Sequence, residues 1–177
     1  RDCHVTPLIH GGGQERDVRS GTLDAPAIVG FATALEITSA RLSETVARVA
    51  ALRDDLVTRV MQIAPDAIYT GSKIYRLANN AHFIFPGCLG DSLLMLLDAQ
   101  GVECSVGSAC NAGVPQPSHV LLAMGADDDA ARSTLRFSLG STTTQADVDK
   151  LIEVLPSAIE RAKRAGVPKL TTAPVRA

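Results

Sequence analysis

Thr134-Leu135-Arg136-Phe137-Ser138-Leu139 alternates apolar and polar side chains with period two, the signature of a strand with one buried face. Leu135, Phe137 and Leu139 belong to that face, and Thr134, Arg136 and Ser138 to the other. Downstream, Thr144 with Asp147 three residues on predicts a capping box that opens a helix. Val148, Leu151, Ile152, Leu155 and Ile159 form the helix's apolar stripe, Pro156 is expected to kink it, and Ala165-Gly166 to end it. Upstream, residues 118–124 read as a short helix closed by Gly125, and residues 127–132 as a helical turn with acidic residues at its positive end.

Working further toward the N-terminus, His82-Phe83-Ile84-Phe85, bounded by Asn79-Asn80 and Pro86-Gly87, predicts a buried strand, with shorter strands at 67–69 and 102–104. Asp91 or Ser92 is expected to cap a helix through Ala99, stopped by Gly101. Its run Leu93-Leu94-Met95-Leu96-Leu97 predicts burial on most sides. Residues 25–64 carry Ile28, Leu35, Leu42, Val46, Val49, Leu52, Leu56, Val60 and Ile63 at helical spacing behind an Asp24 N-cap and Pro26 in the first turn. That is one very long helix or two with a break. Short strands between helices predict an α/β domain of three or four strands with helices on one face.

Composition narrows the class. In 177 residues, 46% are hydrophobic and 20% charged, with a formal net charge of −2, which excludes disorder and charged tails. Only 3% are aromatic and none is Trp, so base-stacking platforms for single-stranded nucleic acid are not expected. No apolar run approaches the roughly 18 residues of a membrane span, and residues 1–10 lack a signal-peptide pattern. A soluble, cytoplasmic protein is expected, with no membrane or nucleic-acid partner. Four cysteines without a CxxC pair (Cys3, Cys88, Cys104, Cys110) fit reduced thiols better than a disulfide framework or a structural zinc site.

Three features carry chemistry. Cys110 sits among small residues, Ser105-Val106-Gly107-Ser108-Ala109 before it and Asn111-Ala112-Gly113 after it. This is either a reactive thiol on a mobile loop or a small apolar loop residue. The segment His10-Gly11-Gly12-Gly13-Gln14-Glu15-Arg16, continuing to Arg19-Ser20-Gly21-Thr22 before a helix start, is a candidate phosphate cradle or a plain connection. Arg136, opposite the apolar face of its strand, is a carboxylate clamp or a solvated surface arginine. His4, His10, His82 and His119 have no metal-ligand spacing, and His82 reads as adjacent to the core.

In order and spacing, these three segments and the strand ending Ser138-Leu139-Gly140 resemble the C-terminal part of a pyridoxal-phosphate-dependent cysteine desulfurase. The resemblance is to the long-loop subgroup of the iron–sulfur assembly type and covers Cys3 to about Gly166. It implies a fold-type-I aminotransferase-like small domain, with a small, mainly antiparallel sheet and helices on one face. It also implies L-cysteine converted to L-alanine with sulfur carried on Cys110 as a persulfide, Arg136 holding the substrate carboxylate, and Thr22 binding the phosphate of pyridoxal phosphate across a homodimer interface. No intrinsic metal is implied, although Cys110 is a possible transient iron–sulfur ligand with a scaffold partner. Residues 1–33 would belong to the large cofactor-binding domain, 34–166 to the small domain with a mobile cysteine loop at about 105–117, and 167–177 to a flexible tail.

Asp17 and Asn111-Ala112 depart from the family's usual residues. The Schiff-base lysine is expected outside this chain, shortly before Arg1, so the chain reads as a fragment that needs a missing N-terminal portion for activity. Its partners would be that portion, a second copy, and an iron–sulfur scaffold protein or other sulfur acceptor. The alternatives are a non-catalytic sulfur-carrier or scaffold-docking module, and another fold-type-I transferase using pyridoxal phosphate.

Overall fold

The computed structural model describes residues 5–106 and 117–166. The elements are α1 (Ala25–Ile63), β1 (Ile68–Tyr69), β2 (Asn80–Ile84), α2 (Gly90–Asp98), α3 (His119–Ala123), α4 (Asp128–Arg132), β3 (Thr134–Ser138) and α5 (Gln145–Ala165). Two compact units divide within α1, Arg1–Ser43 and Glu44–Ala177.

In the second unit the strands form one antiparallel sheet in the order β1-β2-β3. Its register sorts the side chains. Ala81 pairs with Phe137 and Phe83 with Leu135, whereas Asn80 pairs with Ser138 and His82 with Arg136. Opposed residues of a pleated pair share a face, so the apolar pairs fall on one side and the polar pairs on the other. The apolar side meets Val49, Leu52, Leu56 and Val60 of α1, Leu93 and Leu97 of α2, and Val148, Leu151 and Leu155 of α5 in one core. Phe83 is its hub, with ring centroids 5.3 Å from Tyr69, 5.8 Å from Phe85 and 6.2 Å from Phe137. Each such buried aliphatic or aromatic side chain contributes about 1.5–3 kcal/mol. The small aromatic content is thus concentrated where the sheet meets its helices.

Several expectations change in three dimensions. α1 is a single helix, but its apolar stripe has two fates. Val49, Leu52, Leu56 and Val60 are buried, while Ile28, Phe31, Leu35 and Leu42 remain more than half exposed. α2 is not capped by Asp91 or Ser92. Leu89 is its N-cap residue, without a side-chain bond, and Asp91 lies in the first turn, next to the positive end of the helix dipole. Nor is α2 buried on most sides: Leu93 and Leu97 are inaccessible, but Met95 is 70% exposed. Residues 102–104 form no strand. Pairing is reduced to a bridge in which Ser105 N–H donates to the Arg136 carbonyl (3.0 Å) and Arg136 N–H to the Ser105 carbonyl (2.8 Å). Thr144 and Asp147 make the expected reciprocal capping box. α5 then stays helical through Pro156, whose lost hydrogen bond is outweighed by burial of Val154, Leu155, Ala158 and Ile159 around it.

The start of α2 is set by close backbone approach. A Cβ on Gly90 would stand 2.6 Å from the Thr134 carbonyl oxygen and 3.0 Å from that of Arg132. Gly90→Ala is therefore expected to lower stability by about 1–3 kcal/mol in denaturant unfolding. Gly140→Ala, whose Cβ would meet nothing nearer than 3.9 Å, should cost much less. Equal midpoints for the two variants would contradict the packing described.

Candidate functional site

The polar face of the sheet carries one row of side chains across its strands. Thr70, just beyond β1, donates its backbone N–H to the His82 carbonyl (3.0 Å), and its hydroxyl stands 2.7 Å from His82 Nδ1. His82 is opposed by Arg136, and Arg136 Nη2 donates to Ser105 Oγ at 3.3 Å. The row is thus Thr70, His82, Arg136, Ser105. It lines a cavity of about 370 Å³ whose other walls include Gly71, Ser72 and Tyr75 to Leu77, with Val120, Leu121 and Met124 of the α3 segment.

Two arginines line this cavity, and they are bound differently. Arg76 donates to the carbonyls of Ser72 (2.9 Å) and Asn80 (3.1 Å), and also to that of Thr70. Its guanidinium lies 3.9 Å over the Tyr69 ring. Three of its five N–H donors are spent on holding the 70–80 connection, with cation–π attraction added. Arg136 is exposed, and its only side-chain bond among the described residues is to Ser105. Of the five N–H donors of a guanidinium, most therefore remain available to an anion in the cavity.

Burial, with the positive charges of Arg136 and then Arg76, holds the His82 imidazole below its ordinary pKa of 6.5. The ring is accordingly neutral at pH 7 and adds no third charge to the cavity. The two described cysteines are poor nucleophiles. Burial, reinforced by the nearby Asp98 carboxylate, pushes the Cys104 thiol up to about 11, and burial also raises that of the inaccessible Cys88. Cys3 and Cys110 lie outside the described residues, as do most of the predicted cysteine loop and the tail.

Thr22 belongs to the first unit. It is exposed and follows a tight turn in which Glu15, Arg16 and Asp17 all have left-handed φ values (51°, 57°, 62°). This is a conformation that non-glycine residues adopt at a cost of roughly 1–2 kcal/mol each. Gly21 N–H donates to Gln14 Oε1 at 2.9 Å, and Asp24 Oδ1 accepts from Ala27 N–H at 3.0 Å, capping α1. The Thr22 hydroxyl has no partner among the described residues.

The sequence placed Arg136 on the polar face and His82 beside the core. It did not reveal Thr70 and Ser105 as their neighbours, nor that Arg76 is consumed by carbonyls. Alternation in β2 already puts His82 on the face opposite Ala81 and Phe83, but its cross-strand partner depends on register. Among the described residues no cluster of three or more His, Cys, Asp or Glu could hold a metal ion. No helix among them is long and apolar enough to cross a membrane.

The sheet thus has one face packed in the core and an arginine-bearing cavity on the other. Residues 8–151 match the Aminotransferase class-V family, and the chain belongs to it. An IscS-like cysteine desulfurase of Mycobacterium tuberculosis is 57% identical over 168 residues, covering 94% of this chain and 43% of that protein. Cysteine desulfurase IscS 1 of Archaeoglobus fulgidus is 43% identical over 157 residues, covering 89% and 41%. Among solved structures, a NifS-like protein from Rickettsia africae superposes with a TM-score of 0.77 at 30% identity, covering 89% of this chain and 41% of that one. A further NifS-like protein gives 0.77 at 34%, covering 91% and 40%. The fold is that of the fold-type-I enzymes, as the resemblance implied. The chain spans about two fifths of the length of the relatives it matches.

The environment of His82 makes a titration prediction. By NMR, His82 should titrate below 6.5, and Arg136→Ala should move it upward by removing one of the repelling charges. Because the folded state disfavours protonation, the stability associated with the neutral ring is present above pH 6.5 and is lost as pH falls through the folded pKa. A His82 that titrates above 6.5 would contradict the described environment.

Proposed function

We propose that this chain supplies the C-terminal part of a pyridoxal-phosphate-dependent cysteine desulfurase. In this reading, residues 1–33 contribute to the large domain and 34–166 form the small domain. The loop at about 105–117 carries Cys110, and 167–177 form a tail. The observation that carries the reading is an arginine with uncommitted donors, Arg136, in a cavity on the polar face of a sheet, in a chain 57% identical to a protein named as an IscS-like cysteine desulfurase.

The reaction divides among the residues as follows. Arg136 binds the carboxylate of L-cysteine through paired N–H donors and so fixes the orientation of the side chain that carries sulfur. The Cys110 thiolate attacks that sulfur, forming an S–S bond as the substrate's C–S bond breaks. The electron pair of the broken bond stays with the organic fragment, which takes up a proton to become L-alanine, and Cys110 is left as a persulfide. Small residues around Cys110 let the loop carry this sulfur to an external acceptor, an iron–sulfur scaffold among them, and the thiol can serve there as a transient iron–sulfur ligand.

The described residues fit the cofactor at one point. The Thr22 hydroxyl is exposed, without a partner among the described residues, and three residues ahead of the start of α1, where a phosphate is favoured by the helix dipole. When bound, pyridoxal phosphate supplies the electron sink that makes the substrate's C–S bond labile. The lysine that anchors it comes from outside this chain. Lys150 and Lys163 are on α5, paired with Glu153 and Asp66, Lys73 is in the 70–80 connection, and Lys169 lies outside the described residues. A homodimer is the assembly in which Thr22 reaches a partner's cofactor, and the cytoplasm is the compartment that keeps the thiols reduced. The exposed apolar residues of α1, Ile28, Phe31 and Leu35 among them, supply surface for the remaining polypeptide.

In a full-length enzyme carrying this chain, L-cysteine should yield L-alanine, with one added sulfur on Cys110 by mass spectrometry. Cys110→Ser should reduce turnover by more than about 100-fold, while Cys104→Ser should leave most of it. Undiminished activity in Cys110→Ser, or no alanine from the unsubstituted enzyme, would overturn the assignment.

A further inference from the structure

The tautomer of His82 is coupled to the Thr70 hydroxyl. Thr70 Oγ1 is 2.7 Å from His82 Nδ1 and 3.3 Å from the His82 carbonyl, which also accepts the Thr70 backbone N–H at 3.0 Å. The hydroxyl has one proton: it either donates to Nδ1, or accepts from Nδ1–H and donates to the carbonyl. In the first arrangement the neutral ring carries its hydrogen on Nε2, which is then a donor. None of the described residues accepts from it, and His82 lines the cavity that Arg136 lines.

The spacing of these donors is set by the sheet. Opposed residues of an antiparallel pair have Cβ atoms about 4.5–5.5 Å apart, and His82 and Arg136 are such a pair. A carboxylate offers about four lone-pair positions on two oxygens. A bidentate guanidinium fills two of them and leaves one oxygen able to accept from a neighbouring donor. On the far side of Arg136, Ser105 occupies one guanidinium nitrogen, so the open space for that additional contact is on the His82 side. Arg76 competes less, because three carbonyls and the Tyr69 ring hold its guanidinium in place.

We propose that His82 is a second binding residue for the carboxylate of a small organic acid in this cavity, donating Nε2–H alongside the Arg136 guanidinium, in the tautomer in which the Thr70 hydroxyl donates to Nδ1. The ligand class is an α-amino acid or short-chain carboxylate. The link to L-cysteine rests on the desulfurase reading above, whereas the carboxylate site itself rests on the geometry of β2 and β3.

Two measurements test it separately. With the 177-residue chain, propionate is titrated while the His82 ring nitrogens are followed by NMR, and propionamide serves as the uncharged control. The Nε2–H signal should shift with propionate, not with propionamide, and not in Arg136→Ala. Thr70→Val, which removes the donor to Nδ1, should weaken the shift. With the full-length enzyme, His82→Ala should raise KM for L-cysteine about tenfold with kcat changed less than about threefold, and His82→Asn, which keeps an N–H donor, should recover part of the loss. A purely structural histidine would lower stability without this KM-selective loss or rescue.

A propionate-dependent shift in a protein that forms no alanine would sink the desulfurase reading and leave the carboxylate site standing. Alanine formation with an unchanged KM in His82→Ala and no ring shift would overturn the role of His82.

Discussion

The pairing of β2 with β3 is the constraint on which the rest of the structure depends. Ala81 opposite Phe137 and Phe83 opposite Leu135 put the apolar side chains against α1, α2 and α5. The same ladder necessarily puts His82 opposite Arg136 on the reverse face. A slip of one residue would exchange the faces, burying a guanidinium in the core and exposing phenylalanines to water. Core and candidate site are thus two consequences of one register, and neither can be altered without the other. This coupling gives Arg136 a rigid base although its own side chain is exposed.

Around that sheet, charged groups orient the helices more than they stabilise them. Arg59 of α1 bridges to Asp55 on its own helix and Asp149 on α5, and Gln145 reaches the same two carboxylates. Lys163 near the end of α5 meets Asp66 just after α1. Arg48 donates to the Ser141 and Thr143 carbonyls in the connection between β3 and α5. Exposed pairs of this kind contribute on the order of 0–1 kcal/mol each, far less than the buried leucines and phenylalanines beneath them. Their effect is to hold α5 alongside α1, and with it the β3–α5 connection that follows the arginine-bearing strand.

Arg76 and Arg136 show how one residue type acquires opposite roles from its surroundings. Arg76 lies in a connection that turns back on itself, exposing the carbonyls of Thr70, Ser72 and Asn80 to a single guanidinium. Arg136 lies mid-strand, where the backbone carbonyls are taken by neighbouring strands and only the Ser105 hydroxyl is offered. The first arginine is a brace for a cavity wall, and the second keeps donors for a ligand. Their neighbour His82 is held neutral, so the positive charge of the cavity is that of its two arginines.

Local pattern was enough for most elements. Period two in residues 134–139 identified β3, Thr144 with Asp147 identified the cap of α5, and the 3.6-residue stripe identified α1. These signals work because strand alternation and helix capping depend on residues a few positions apart. Motif order brought Cys110, Arg136 and Thr22 forward as candidates, of which Cys110 lies outside the described residues. What the chain's one-dimensional order could not decide were contacts between distant segments. These include the start of α2, set by Gly90 against the Thr134 carbonyl, and the reduction of residues 102–104 to a bridge at Ser105. They also include which part of the α1 stripe is covered, and the row Thr70, His82, Arg136, Ser105. Those outcomes depend on strand register and on close backbone approach, which are properties of segments brought together in space. The place of His82 beside Arg136 is accordingly a property of the assembled sheet and not of either strand alone.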